Sequence, residues 1–326
     1  MNDRRAALCA IVAFTFPLLI AHRSSAQSSK PTAIGLLDAS DRLEWWDAFR
    51  QQLRQFGHIE GRDVRFEMRL AKGELEVLPA MARELVGLKA SVFVTSGTNA
   101  ALAAKRATST IPIVMATGTD QVSLGLAASL AHPGGNVTGL STLTSELMAK
   151  RFELVHDLIP NVSRIAVLWN TENLSSMASV RDLQSVAERS KVALQTVAIT
   201  AAQELPGAFS SMTRERAEAV IVVQTPLMYT HRTEIADLAI KNRLPSVWGA
   251  SEYVVAGGLI SYAPSYPELF RRAAGYVQKI LKGANPGDLP IEQPSTFELA
   301  VNTKTARALG VAIPASMLTR ANRIVS

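Results

Sequence analysis

The sequence predicts an α/β protein made of two doubly wound, Rossmann-like lobes. Three observations carry this reading. Short, wholly apolar runs such as Val92-Phe93-Val94 and Ile113-Val114-Met115 recur along the chain, as strands buried on both faces of a parallel sheet require. Helix-period segments of ordinary length lie between them, so strand and helix alternate. The alternation comes in two series, joined near Gly135 to Leu140 by the turn-forming His132-Pro133-Gly134-Gly135-Asn136 and a brief strand over Val137 to Ser141.

Residues 1–26 stand apart from this pattern. Arg4 and Arg5 precede an apolar run from Ala6 to Ala21, and Ser24-Ser25-Ala26 supplies small residues for cleavage near Ala26. That is the pattern of a secretory signal, and it predicts a periplasmic mature chain. Pro17 interrupts the run, which is also shorter than the roughly 20 residues a membrane span needs. Cys9 is the only cysteine, so the mature chain has no disulfide, thiol nucleophile or cysteine metal site. Loss of the leader lowers the formal net charge from +6 to about +4. The remaining charges are interspersed, and no basic block is interleaved with aromatics, so nucleic acid is not an expected partner.

In the first series, Thr32 to Leu37 reads as a strand ending at Asp38. Leu43, Trp46, Phe49, Leu53 and Phe56 then form one apolar stripe of a helix stopped by Gly57. Val64, Phe66, Met68 and Leu70 alternate with charged residues, which predicts a half-exposed edge strand. Leu78 to Val86 is a helix. The strand at Val92 ends in Thr95-Ser96-Gly97-Thr98-Asn99 before a helix over Ala100 to Ala107. The strand at Ile113 ends in Thr117-Gly118-Thr119-Asp120, and Val122 to Leu130 is read as a short helix. Ligands of open α/β sheets bind beyond the carboxyl ends of the strands, so these hydroxyl-rich ends are expected to wall a cleft.

The second series has strands at Ile165 to Trp169, Ala193 to Ile199, Val220 to Val223 and Ser246 to Trp248, with helices between them. A strand over Gly257 to Tyr262, a helix over Phe270 to Leu281, a Pro-rich connection from Pro286 to Pro294, a strand over Phe297 to Val301 and a helix over Thr303 to Leu309 complete the chain.

The motifs of common chemistries are missing: there is no phosphate loop, no dinucleotide fingerprint and no nucleophile elbow. His22, His58, His132, His156 and His231 never fall at metal-ligand spacing, and no cofactor is expected. Asp38 and Asp120, both at strand ends, are open to two readings, cleft lining and local capping.

The order of several segments resembles a known family. Phe56-Gly57-His58-Ile59-Glu60-Gly61-Arg62, the Thr95-Ser96-Gly97-Thr98 loop, His132-Pro133-Gly134-Gly135-Asn136-Val137-Thr138-Gly139, Trp169-Asn170, Gly257-Gly258-Leu259-Ile260-Ser261-Tyr262 and Leu289-Pro290-Ile291-Glu292-Gln293-Pro294 follow one another. This series is similar to the ABC-transporter substrate-binding proteins of the TrpX-like group, over nearly all of the mature chain. A Gly-Asp-Pro loop is usual in that group where this chain has Gly118-Thr119-Asp120. An Asn-Pro usually follows the tryptophan, where here Asn170 is followed by Thr171.

The resemblance implies a type I periplasmic-binding-protein fold with three hinge crossovers, near Asn136 to Ser141, Gly258 to Tyr262 and Pro294 to Phe297. Residues 27–140 and 262–294 would form lobe 1, and residues 141–261 and 295–326 lobe 2. The implied function is a non-enzymatic, monomeric receptor that closes on a small polar or amino-acid-like, carboxylate-bearing solute and delivers it to an ABC permease. Ser96, Gly97, Thr98 and Asn99 would hold an anionic group at a helix N-terminus, although N-capping is the plainer role of such residues. Asp38, Thr117, Thr119, Asp120 and Ser141 would join them. Asn170, Asn173, Thr225, Trp248 and Tyr262 would face them, while Trp46 belongs to an apolar stripe and is read as core before wall. The competing reading is a periplasmic enzyme using Asp38 and Asp120 as acid and base. A transcriptional sensor would need a DNA-binding segment where this chain has its leader.

Overall fold

The computed structural model describes residues 30–142 and 145–326. The secretory signal expected over residues 1–26 lies outside the described residues. The first series forms β1 (Thr32–Asp38), α1 (Leu43–Gln55), β2 (Val64–Leu70), α2 (Leu78–Gly87), β3 (Val92–Ser96), α3 (Thr98–Ala107), β4 (Ile113–Thr117) and β5 (Val137–Gly139). Its five strands make one parallel sheet in the order β2-β1-β3-β4-β5. Every residue of β3 and β4 is buried, whereas β2 lies at the sheet edge and is mostly half-buried. Apolar runs and alternation thus mark the inner strands and the edge respectively.

The second series contributes α4 (Ser145–Leu158), β6 (Arg164–Asn170), α5 (Ser176–Ser190), β7 (Ala193–Ile199), α6 (Leu205–Arg214), β8 (Ala219–Val222), α7 (Pro226–Thr230), α8 (Arg232–Lys241), β9 (Ser246–Trp248), α9 (Ser251–Val255) and β10 (Ile260–Pro264). The chain then forms α10 (Tyr266–Leu281), β11 (Phe297–Asn302), α11 (Thr303–Leu309), α12 (Ala315–Arg320) and β12 (Arg323–Val325). The second sheet has seven strands in the order β12-β11-β10-β9-β8-β6-β7. It is parallel except for the antiparallel pair of β10 and β11. Helix α10 packs back on the first lobe, against α1, β3 and β4.

Two expectations need correction. No helix forms over Val122 to Leu130, which is a run of turns and bends. Gly125 adopts φ of +69° there, a left-handed conformation that stops helix propagation. The second crossover lies not at Gly258 to Tyr262 but after Pro264, because β10 keeps Ile260 to Pro264 in the second sheet. The first crossover follows β5 directly. Gly139 there has φ of +122°, and a Cβ on it would sit 2.3 Å from the Met115 carbonyl oxygen, so only glycine lets β5 approach β4. Ser141 N–H donates to the Glu292 carbonyl and Glu292 N–H to that of Gly139, so the first and third crossovers are zipped together.

Candidate functional site

The two sheets turn their strand ends toward a shared cleft. Its cavity volume is about 90 Å³, and it is partly open to solvent. On the first lobe, β3 ends at Ser96, and Gly97, with φ of +95°, makes the turn into α3. No side chain caps this helix, because the cap position is the glycine itself. The hydroxyls face other partners. Thr98 Oγ1 accepts from Thr119 N–H at 3.1 Å and Thr117 Oγ1 from Gly97 N–H at 3.0 Å. From the second lobe, Thr225 Oγ1 accepts from Met228 N–H, and Asn173 Oδ1 accepts from both the amide and hydroxyl of Ser175.

Of the residues expected at the site, Gly97, Thr98, Thr117, Thr119, Asn173 and Thr225 line the cleft. The others do not. Asp38 and Ser96 are fully buried behind the wall, where Arg42 Nη1 donates to both, at 2.7 and 3.2 Å. Asn99 lies beside the lining, and its Nδ2 reaches the Glu172 carbonyl of the other lobe at 3.4 Å. Asp120 is exposed, with a left-handed φ of 56°, whereas Asp38 is fully buried. Ser141 is held in the zipped crossovers, and Asn170 donates to the carbonyls of Ile199 and Thr200. Trp248 is core: its indole N–H donates to Ser246 Oγ, and its ring lies against Gly258, where a Cβ would come within 2.4 Å. Tyr262 stacks on Phe297, away from the cleft. Trp46 is buried in the core and donates to Asp38 Oδ2 at 2.8 Å.

Several lining residues escape sequence reasoning. Trp45, not Trp46, walls the cleft, stacked on Tyr266 with ring centroids 4.4 Å apart and planes 9° apart. The buried stripe of α1 is Trp45, Trp46, Ala48, Phe49 and Leu53, whereas Leu43 is half exposed. Two arginines line the same space. Arg42 is paired with Asp38 and lies over the rings of Trp45 and Tyr229, 5.1 and 5.2 Å from their centroids. Arg151 is 2% exposed and has no acidic partner among the described residues. Its Nε donates to the Tyr262 carbonyl at 3.0 Å, and burial lowers its pKa from the usual arginine value. One signal marks it in the sequence: Arg151 falls between Leu147, Met148, Phe152 and Val155 on the buried face of α4. Gly249 leaves room for this group, since a Cβ there would sit 3.1 Å from Arg151 Nη2 and 2.6 Å from Gln224 Oε1.

The lobes also meet through Trp45, whose indole N–H donates to Glu252 Oε1 at 2.6 Å, and through Glu44, which accepts from the Tyr229 hydroxyl. Burial raises the pKa of Glu252 above the ordinary 4.5, against the Trp45 hydrogen bond, which lowers it. Across the interval from 4.5 up to that raised value, the folded chain binds more protons here than the unfolded one, so stability falls as pH rises. Thermal melts over mildly acidic pH should show this loss, and Glu252→Gln should flatten it. An identical slope in the variant would assign the pH dependence to other groups.

Among the described residues, no group of three or more His, Cys, Asp or Glu is placed to hold a metal ion. No helix among them is long and apolar enough to cross a membrane. Two α/β lobes, three crossovers and a polar cleft between strand ends define a two-lobed solute-binding protein of the type I periplasmic-binding-protein fold. The family model of the ABC transporter substrate binding protein matches residues 34–325, and the chain belongs to that family. It is a solute-binding receptor of an ABC transporter.

A tyrosine-binding protein of Clostridioides difficile is 28% identical over 261 residues, covering 80% of this chain and 75% of that protein. An ABC domain from Streptococcus pneumoniae, solved in complex with L-Trp, is 26% identical with a TM-score of 0.84, covering 90% of this chain and 100% of the other. A conserved domain protein from Vibrio cholerae is 27% identical with a TM-score of 0.85 over the same shares.

Proposed function

We propose that the cleft captures a carboxylate-bearing solute with a flat apolar body, of amino-acid size, and that the protein presents it, as a periplasmic monomer, to an ABC permease. One observation carries the reading: Arg151 is a buried cation on the cleft wall with no acidic partner among the described residues. A charge removed from water is costly unless paired, and the cleft is where a partner can arrive. The stacked Trp45 and Tyr266 rings, with Leu147 and Met148, offer an apolar wall to a flat ligand. The tyrosine-binding relative and the neighbour solved with L-Trp support an aromatic acid as the solute class. The receptor reading is favoured over an enzyme because Asp38 is fully buried and held by three protein donors and Asp120 lies outside the lining.

Calorimetric titration of the purified protein with a panel of aromatic amino acids and aryl-alkanoic acids tests this. Saturable binding of carboxylates, lost for the matching primary amides, is expected. Equal affinity for acid and amide would exclude a carboxylate anchor.

A further inference from the structure

We propose that the solute this cleft selects is a monoanionic aromatic carboxylate that lacks an α-ammonium group, the desamino counterpart of an aromatic amino acid. The inference rests on the carboxylate-receptor reading above. An ammonium group brings one positive charge and three donors, so it needs acceptors and preferably a carboxylate. The lining offers the opposite. It contains two arginines and no acidic residue among the described residues. Asp38 balances Arg42, so Arg151 remains as one uncompensated positive charge. That charge matches a single carboxylate and leaves nothing for an ammonium.

The hydrogen-bonding capacity has the same bias. Both side-chain amide oxygens on the lining already accept from the protein: Asn173 Oδ1 from two donors of Ser175, and Gln224 Oε1 from the Tyr266 hydroxyl at 2.6 Å, which leaves it one lone pair. The Gly118 carbonyl is taken by the amide and hydroxyl of Thr142. The two donors from Ser175 fix the orientation of Asn173, so its NH2 is left over as a donor. The nearby carboxylates are out of place. Glu252 is not part of the lining and its Oε1 holds the Trp45 indole, while Asp120 is exposed outside the lining. Burial also favours the neutral form of Glu252, which weakens it as a counter-ion. An aromatic amino acid would therefore bury its ammonium beside an arginine-rich wall without a partner.

The test compares matched pairs by calorimetry: 3-(4-hydroxyphenyl)propanoate against L-tyrosine, and indole-3-propanoate against L-tryptophan. At least tenfold tighter binding of the desamino acid is expected in one or both pairs. Equal or tighter binding of the amino acids would overturn the inference while leaving the carboxylate receptor standing. Binding of neither acid nor amino acid would overturn both. Thr119 supplies a second arm, because its Oγ1 is buried on the lining with no hydrogen-bond partner. Thr119→Asp should move the preference toward the amino acid by at least tenfold. An unchanged ratio, in a variant that melts normally, would overturn the charge-pairing basis.

Discussion

Arg151→Met is expected to abolish most solute binding while raising the stability of the ligand-free protein. The two effects have one cause. Arg151 is buried, and among the described residues its hydrogen-bond partners are Tyr262 and Met148. Without ligand, the guanidinium has lost hydration and gained no anion, so methionine of similar length should sit there at lower cost. With ligand, the same residue would form a desolvated ion pair. Truncating one partner of such a pair costs roughly 2 to 5 kcal/mol, or about 30-fold to several-thousand-fold in Kd. Arg151→Lys keeps the charge but replaces a planar fork by a point donor, so an intermediate loss is expected. Calorimetric titration and thermal melting of the same samples read both quantities. Unchanged affinity in the methionine variant would remove Arg151 from the site. A lowered melting point together with lost binding would mean that Arg151 supports the fold through its Tyr262 contact.

The fold was legible because its signals are local. Completely apolar runs marked β3 and β4, and charge alternation marked β2 as an edge. The cleft residues at strand ends were legible for the same reason: Thr98, Thr117 and Thr119 follow directly on buried strands. Residues brought in by helices were not. Trp45 and Trp46 are adjacent on α1, so periodicity alone assigns one of them to the main stripe and cannot say which neighbour crosses to the other lobe. Arg151 follows Lys150 and resembles a solvated helix charge, although its spacing from Met148 and Val155 places it on the buried face. Trp248 and Tyr262 also lie near strand ends, but side chains on a strand alternate between faces. Both point to packing partners, Ser246 with Gly258 and Phe297, that sequence spacing does not disclose.

Asp38→Ala is expected to destabilise the fold by about 3 to 5 kcal/mol, the usual loss when one partner of a buried ion pair is removed. Asp38 is wholly inaccessible at the carboxyl end of β1. Its Oδ1 accepts from Ser40 N–H at 2.8 Å and Arg42 Nη1 at 2.7 Å, and its Oδ2 from Trp46 Nε1 at 2.8 Å. Alanine leaves the Ser40 N–H and the Trp46 indole without this acceptor and the buried Arg42 guanidinium, whose Nε is already unpartnered, with Ser96 Oγ but no counter-charge. Asp38→Asn keeps the size but turns an NH2 toward at least one of these donors, so much of the loss should remain. The double variant Asp38→Ala, Arg42→Met separates charge from packing. If the stranded cation dominates the loss, the double variant should be more stable than Asp38→Ala alone, a coupling of the kind contacting residues show. Urea denaturation of the four proteins measures it. A double variant as unstable as the sum of the single ones would place the cost in the Trp46 and Ser40 hydrogen bonds, and Arg42 would then owe its position to the Trp45 and Tyr229 rings that enclose it.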